Sequence, residues 1–281
     1  MNCPDCLNIQ MLPIVTLIAT TPRIEQLELH ALPSIRKQLT PPSLVVIVSD
    51  RRSLFDSEKR VIRDQLPGLD VLNLDNENSP GAAGCWNTGI KAILKIFADC
   101  YVAIIDDDDN WRENHLKVCL DASEACSADV VISGINRVID NQVAETNLPS
   151  SLHPKDFLRG NPGWQGSNTF IKASMLQLVG AFTDGLVSCN DRDLAIRVLS
   201  QPMVDVRYTE TATTFWNCNA TPHALSAPGS LQKLRGCAQF LQLYERQMSE
   251  LDRIAFFHRI EELFKWSMQD IEVEKLRLSF E

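Results

Sequence analysis

The sequence has little of what a membrane-spanning, secreted or nucleic-acid-binding protein needs. Its longest apolar run, residues 14–19, is interrupted by Thr16 and is far shorter than the roughly 20 residues of a membrane span. No basic segment precedes an apolar stretch near the N-terminus, which disfavours a signal peptide. A net charge of -9 disfavours general nucleic-acid binding, because a negative surface repels a phosphate backbone. These absences predict a soluble cytoplasmic protein and leave attachment to the inner membrane face open.

Motifs for two common cofactor sites are also missing. No G-x-G-x-x-G follows the first predicted strand, which disfavours a plain dinucleotide-binding domain. Cys3 and Cys6 are spaced as a C-x-x-C pair, but neither a second pair nor two suitably spaced histidines follow nearby. The pair is therefore interpreted as part of an irregular N-terminal end rather than as a zinc site. Residues 1–12 are interpreted as an N-terminal tail, and no internal repeat is visible.

What the sequence does contain is an alternation of apolar strands and helices over residues 13–134. The pattern predicts strands at residues 13–19, 43–48, 69–74, 101–105 and 129–133, and helices at residues 24–38, 55–66, 81–97 and 112–126. Near-continuous apolar strands separated by helices indicate an α/β fold with a mostly parallel sheet covered on both faces. Ligands of such sheets bind beyond the carboxyl ends of the strands.

The second half of the chain contains more loop signals. Strands are predicted at residues 138–143, 169–171, 204–208 and 211–216, and a helix at residues 191–199. From residue 229 to residue 281, apolar residues recur every three or four positions, which predicts a C-terminal amphipathic helical extension. The extension is expected to pack on the main domain or on a partner subunit, so a homo-oligomer through these helices is left open.

Four consecutive carboxylates, Asp106 to Asp109, follow the predicted strand at residues 101–105. Adjacent carboxylates repel one another, and a cation lowers the cost of ionising them. Mg²⁺ and similar hard cations are held by one or two protein carboxylates together with the oxygens of a substrate diphosphate. The alternative is an acidic turn that caps the next helix. The position directly after a buried strand favours a metal site.

The strand, acidic run and tryptophan of residues 101–111 resemble the DxD segment of family 2 glycosyltransferases with the GT-A fold. Residues 18–23, 48–50 and 81–90 resemble three nucleotide-binding segments of that family, in the same order. Gly180-Ala181-Phe182 and the later Asn190-Asp191-Arg192-Asp193-Leu194 resemble the segment with the catalytic base. The resemblance covers residues 13 to 199 and implies a GT-A domain over residues 13–228. Its nucleotide-binding half would be residues 13–134 and its acceptor-binding half residues 135–228.

The resemblance implies an inverting transferase that uses Mn²⁺ or Mg²⁺ and a nucleotide-sugar donor. Asp108, Asp106 and a late histidine, His223, are the expected metal ligands, although His223 is equally compatible with a plain surface role. Asp191 is the expected catalytic base that accepts the proton of the acceptor hydroxyl, and the alternative is a helix N-cap. Contacts to the donor nucleotide are expected from Thr20, Thr21, Arg23, Asp50, Gly84, Asn87, Asp106 and Asp107.

The acceptor or sugar is expected to meet aromatic and amide groups, because a sugar presents an apolar face and many hydroxyls. The residues of this kind near the site are Asp109, Trp111, Trp164, Gln165, Ser167 and Asn168. Trp164 is equally compatible with a core position. The acceptor itself stays undefined: a glycan, a lipid-linked sugar, a protein or a small molecule.

The sequence departs from the family pattern where the donor base is recognised. Trp86 stands where an arginine is frequent, and Ser49 replaces one of two acids. UDP is therefore favoured as the donor nucleotide only because it is the most frequent one in the family, and GDP remains an alternative. A nucleotidyltransferase acting on a sugar phosphate is a rival, but it needs a glycine-rich loop after the first strand, where this chain has Thr20-Thr21-Pro22-Arg23. An inactive GT-A-like partner subunit is a third interpretation. The presence of Asp106, Asp108 and Asp191 disfavours it.

Overall fold

A computed structural model describes residues 11–124, 128–218 and 227–280. Within these ranges the strands are β1 (Ile14–Thr20), β2 (Leu44–Ser49), β3 (Val71–Asp75), β4 (Tyr101–Asp106), β5 (Asn110–Trp111), β6 (Val130–Ile139), β7 (Gln142–Asn147), β8 (Thr169–Lys172) and β9 (Val206–Asn217). The helices are α1 (Ile24–Leu29), α2 (Ala31–Arg36), α3 (Asp56–Gln65), α4 (Ala82–Ile96), α5 (His115–Glu124), α6 (Asp156–Arg159), α7 (Ala173–Leu178), α8 (Asn190–Leu199), α9 (Leu231–Tyr244), α10 (Glu250–Phe264) and α11 (Met268–Leu278).

The strands form one mixed sheet in the order β3-β2-β1-β4-β8-β6-β9-β5, with β7 paired to β6. β1 pairs in parallel with both β2 and β4, and β3 is parallel to β2. β8 is antiparallel to β4 and β6, so β6 and its parallel neighbour β9 run in the same direction as β4. The prediction of a mostly parallel α/β sheet is confirmed.

The apolar sequences of β1, β2 and β4 are explained by burial on both faces of the sheet. One face packs against α1, α2, α3 and α5, and the other against α4, α7, α8 and the C-terminal helices. The ends of the strands are aligned: Ala19 is in register with Asp106, and Thr20 with Ser49. Their polar residues therefore lie along one edge of the sheet, where ligands of parallel sheets bind.

Three details of the predicted elements were wrong. The helix expected at residues 24–38 is two helices separated at His30, because Pro33 cannot donate a backbone hydrogen bond and its ring clashes with the carbonyl of Leu29. The strand expected at residues 138–143 crosses a hairpin turn at Asp140 and Asn141, both of which have positive φ. Residues 204–208 and 211–216 are not separate strands, because residues 206–217 form the single strand β9.

The C-terminal helices share a hydrophobic core with the sheet. Phe240 and Tyr244 of α9 and Phe256 of α10 are buried in the same cluster as Leu17 of β1 and Leu194 of α8. The apolar face that the sequence predicts therefore packs on the main body of the chain. No helix in the described ranges is long and apolar enough to cross a bilayer.

Candidate functional site

The carboxylates of the acidic turn do not all face the same way. The turn begins at Asp106, the last residue of β4, and leads into β5. Asp107 is buried, and its carboxylate accepts hydrogen bonds from the Thr20 hydroxyl at 2.5 Å and from Arg23 Nε at 3.1 Å. Arg23 Nη2 makes a further bond to the other oxygen of Asp107. Thr20 and Arg23, both predicted to bind the donor, thus anchor the first strand-loop to the acidic turn.

Asp109 also points into the protein. Its carboxylate accepts a hydrogen bond from the Ser167 hydroxyl at 2.6 Å and another from the Asn217 backbone N–H at 2.9 Å. Burial, reinforced by the charge of Asp108, raises the pKa of Asp109 to about 8. The Asn217 side chain binds the backbone carbonyl of Asp108 at 2.6 Å. Asp109 therefore fixes the shape of the turn from the inside.

Asp106 and Asp108 are the two carboxylates of the turn that are not fully buried. Burial raises the pKa of Asp106 well above its ordinary value, and the neighbouring charges of Asp109, Asp108 and Asp191 raise it further. A cation at this position would relieve that repulsion, and carboxylate oxygens are the ligands that Mg²⁺ and Mn²⁺ prefer. In the part of the chain that the structure describes, no three His, Cys, Asp or Glu residues are grouped as a metal site. Asp106 and Asp108 would supply two of the ligands of such a site.

Asp191 lies in the first turn of α8, close to the acidic turn. The residue before this helix, Cys189, has a left-handed backbone with φ of 66°. Burial raises the pKa of Asp191 to about 7, against the opposing effects of the Lys233 charge and of the nearby Gly166 backbone N–H. A methyl group added at Gly166 would lie 3.5 Å from Asp106 Oδ1. The Gly166 backbone is therefore close to both carboxylates, Asp106 and Asp191.

Two buried polar atoms near this point lack hydrogen-bond partners among the described residues: Trp86 Nε1 and Asn190 Oδ1. Trp86 packs on Phe182, with the ring centroids 4.5 Å apart. Its ring edge would be 3.4 Å from a methyl group at Gly166. Because buried polar atoms in proteins are normally paired, two unpaired atoms beside Asp106 and Asp191 are typical of a site that a ligand completes.

Two of the remaining predicted donor residues, Asp50 and Gly84, contact the loop between β3 and α4. Asp50 accepts hydrogen bonds from Asn76 Nδ2 at 3.0 Å and from the Gly81 N–H at 2.9 Å. Asn87 exchanges two hydrogen bonds of 2.9 Å with the backbone of Phe182. Gly84 lies so close to this loop that a methyl group there would be 1.9 Å from the Ser79 carbonyl oxygen. Thr21 is exposed at the end of β1.

Most of the residues predicted to contact a sugar or acceptor are buried. Trp164 is fully buried, and its Nε1 donates to Thr169 Oγ1 at 2.8 Å, which agrees with the core interpretation. Trp111 donates to the Ser167 carbonyl at 2.7 Å. Asn168 donates to the carbonyls of Ser133 and Gly163. Of this group beyond the acidic turn, Gln165 is the one with partial exposure. Ser167 connects this group to Asp106, whose backbone N–H donates to the Ser167 hydroxyl at 3.0 Å.

Some predictions concern residues outside the described ranges: His223, Cys3 and Cys6. In turn, the structure brings in three residues that the sequence did not single out for the site, namely Gly166, Asn217 and Lys233. Asn217 and Lys233 carry no local signal, because a polar residue at the end of a strand or in an amphipathic helix is ordinary. Gly166 lies between Gln165 and Ser167, which the sequence did single out, and it contributes its backbone to the site.

Comparisons with known proteins identify the family of the chain and the fold it shares. A family model described as Glycosyl transferase family 2 matches residues 25–183, more than half of the chain. The fold is similar to S. aureus TarS residues 1–349 in complex with UDP-GlcNAc, with 15% identity, a TM-score of 0.62, and coverage of 92% of this chain and 74% of that chain. It is also similar to the mannosyltransferase PcManGT from Pyrobaculum calidifontis in complex with GDP-Man and Mn²⁺, with 16% identity, a TM-score of 0.57, and coverage of 97% and 76%. A search of curated proteins finds no match.

Proposed function

The chain belongs to glycosyl transferase family 2, and from this premise we propose that it transfers a sugar, with inversion, from a nucleoside-diphosphate-sugar donor to an acceptor hydroxyl. The observation that carries the proposal is the proximity of both Asp106 and Asp191 to the Gly166 backbone. A donor held by the acidic turn would present its anomeric carbon towards Asp191. The enzyme would then hold leaving group and base within one site.

Asp191 is the proposed catalytic base. A general base is most effective when its pKa lies near the working pH, and burial raises the pKa of Asp191 to about 7. The carboxylate would accept the proton of the acceptor hydroxyl as that oxygen attacks the anomeric carbon. Attack from the side opposite the leaving diphosphate gives a single displacement and therefore inversion.

Asp106 and Asp108 are the proposed ligands of Mn²⁺ or Mg²⁺, with His223 as a further candidate outside the described residues. Both carboxylates are only partly buried, and Asp107 and Asp109 are held by Arg23, Ser167 and Asn217 instead. When bound, the metal would supply a positive charge that neutralises the diphosphate of the leaving group. Arg23 Nη2, which is 3.3 Å from Asp108 Oδ2, holds that carboxylate in place.

We propose UDP as the first donor nucleotide to test and GDP as the second. Similar solved structures hold UDP-GlcNAc and GDP-Man, so this fold accommodates both kinds of donor. Asp50 and Gly84 would shape the nucleotide pocket through their contacts with the loop between β3 and α4, and Asn87 through its bonds to the Phe182 backbone. The unpaired Trp86 Nε1 is a donor that a ligand oxygen would satisfy.

The test is calorimetric titration of UDP, GDP and a nucleoside triphosphate, each with Mn²⁺ and with EDTA. We expect one nucleoside diphosphate to bind in Mn²⁺ and to lose at least tenfold in affinity in EDTA. Asp108→Ala should remove this metal-dependent binding, whereas Asp64→Ala, which changes an exposed carboxylate on α3, should preserve it. Binding of the triphosphate alone would favour a nucleotidyltransferase, and no nucleotide binding would favour an inactive partner subunit.

A further inference from the structure

A small cavity lies behind the start of α8, on the side of the C-terminal helices. Its volume is about 70 Å³, and its lining includes the cationic side chains Arg159, Arg192, Lys233 and Arg259 beside Phe256 and Phe264. None of the described residues that line it is an Asp or a Glu. A buried water molecule needs roughly 10–15 Å³ of such volume, so the cavity has room for a compact polar group.

Arg192 and Lys233 are held towards the cavity by carbonyl, hydroxyl and aromatic groups, and Arg192 Nη1 also donates to the Cys189 thiol at 3.8 Å. Arg192 is buried, and its guanidinium donates to the carbonyls of Phe157 at 2.8 Å and Leu158 at 3.2 Å. It also stacks on the Phe240 ring at 4.0 Å. Lys233 Nζ donates to the Ser188 hydroxyl at 2.9 Å and lies 4.5 Å above the Phe264 ring. Neither cation forms an ion pair with a carboxylate within the described part of the chain.

Arg259 adds a third cation. Burial and the nearby charge of Arg192 both lower the pKa of Arg259, which shows that the two guanidinium groups repel each other. Arg159, in contrast, is neutralised by Asp252 at 2.5 Å. The neighbouring groups that can carry negative charge are Asp191, Glu262 and the thiol of Cys189, whose pKa is lowered. They lie beside the cations and do not line the cavity, so a group that enters it meets positive charge.

The cavity is connected to the proposed catalytic base. Lys233 binds Ser188, three residues before Asp191, and the charge of Lys233 lowers the pKa of Asp191. Asp191 in turn acts on Asp106 of the acidic turn. Lys233 therefore neighbours the base, whose proposed partner is the acceptor hydroxyl.

We propose that this cavity binds a phosphate-type oxyanion carried by the acceptor, so that the enzyme glycosylates a hydroxyl of a phosphorylated molecule. This inference rests on the proposed function, because it assigns the acceptor side to Asp191. Guanidinium groups bind such oxyanions through charge-assisted hydrogen bonds. The anion would relieve the repulsion between Arg192 and Arg259 and hold the acceptor beside the base.

The test is calorimetric titration of inorganic phosphate, glucose 6-phosphate and glucose into the full chain. The chain is first saturated with Mn²⁺ and the nucleoside diphosphate that it binds; if it binds none, the titration is made without nucleotide. We expect both phosphates to bind and glucose not to bind. Arg259→Gln should weaken both phosphates at least tenfold. Arg246→Gln is the matched control, because Arg246 is an exposed arginine of the C-terminal segment and does not line the cavity.

The outcomes separate this inference from the proposed function. Phosphate binding that Arg259→Gln does not weaken would overturn the cavity assignment, and so would an absence of phosphate binding. Binding of inorganic phosphate without glucose 6-phosphate would show a site for a free anion and overturn the acceptor assignment. Failure of the proposed function would instead appear as loss of metal-dependent nucleotide binding, which is measured separately.

Discussion

At the scale of single residues, neighbouring carboxylates have different roles because their partners differ. Asp107 and Asp109 are buried and hydrogen bonded by Thr20, Arg23 and Ser167. Asp106 is only partly buried and, together with Asp108, has the oxygen ligands that suit a divalent cation. The alternation of directions along the turn places one pair inside the protein and the other at the site.

Asp191 allows a prediction about pH dependence. A base is active when it is deprotonated, so transfer should rise as the pH increases through about 7, the pKa of Asp191. Asp191→Asn should lower transfer by roughly 10²- to 10⁴-fold and preserve nucleotide binding. Normal turnover of Asp191→Asn would exclude this residue as the base. The measurement is the pH profile of kcat with the nucleotide sugar identified by titration.

Lys233 provides a companion to that measurement. Its positive charge lowers the pKa of Asp191, so Lys233→Met should raise that pKa and move the rising limb of the pH profile to higher pH. Lys95→Met, at an exposed position near the end of α4, is the control and should leave the limb in place. If the pH profile of Lys233→Met rises at the same pH as that of the unchanged protein, the proposed effect of Lys233 on the pKa of Asp191 is contradicted.

At the scale of elements, the start of α8 is fixed by α9. A methyl group at Gly236 of α9 would lie 2.3 Å from Cβ of Ser188 and 2.7 Å from its backbone nitrogen. The close approach brings α9 against the segment that precedes Asp191. Tyr244 of α9 strengthens the contact, because its hydroxyl donates to Asp193 of α8 at 2.6 Å.

Gly236→Ala tests this contact between elements. The added methyl group meets backbone atoms, so the helix or the segment must move, and overpacking of this kind costs about 1–3 kcal/mol of unfolding free energy. We expect a lower urea midpoint and slower transfer, since Asp191 shifts with the segment. Gln232→Ala, on the exposed side of α9, is the control. If Gly236→Ala unfolds and turns over like the control, α9 does not position the base.

At the scale of the whole molecule, the C-terminal helices complete one of the two hydrophobic clusters of the sheet. Phe240, Phe256 and Ile260 pack in the cluster that also contains residues of β1, β4 and α8. The same helices contribute Lys233 and Arg259 to the cavity beside Asp191. Residues 229–281 therefore take part in both the core and the surroundings of the site.

Truncation after residue 228 tests this dependence. Removing α9 to α11 would expose the apolar residues that they cover, and exposed apolar surface costs about 25 cal/mol per Å². We expect the truncated chain to aggregate or to lack a cooperative unfolding transition, whereas the full chain unfolds in one transition. Removal of residues 280–281 alone, where Phe280 is 85% exposed, should change nothing. A truncated chain with a native-like cooperative transition would show an independent domain.

The fold class, the succession of strands and helices, the acidic turn after β4 and the position of Asp191 at the start of a helix could all be predicted from the sequence. These features depend on neighbouring residues, through hydrophobic periodicity and the polar residues that end each element. Where a local detail failed, as at Pro33 or at Asp140 and Asn141, the reason was also local. The resemblance to family 2 glycosyltransferases rested on the same short segments.

Which side chains meet follows from the tertiary packing. Asn217 reaches Asp109, Gly166 lies close to both Asp106 and Asp191, and Lys233 acts on Asp191 from a helix that the sequence marked only as amphipathic. The burial of Trp164 and the basic cavity around Arg192 were likewise decided by packing. Distances between residues far apart in the chain are set by how the helices and the sheet pack together, and that information is absent from any single segment.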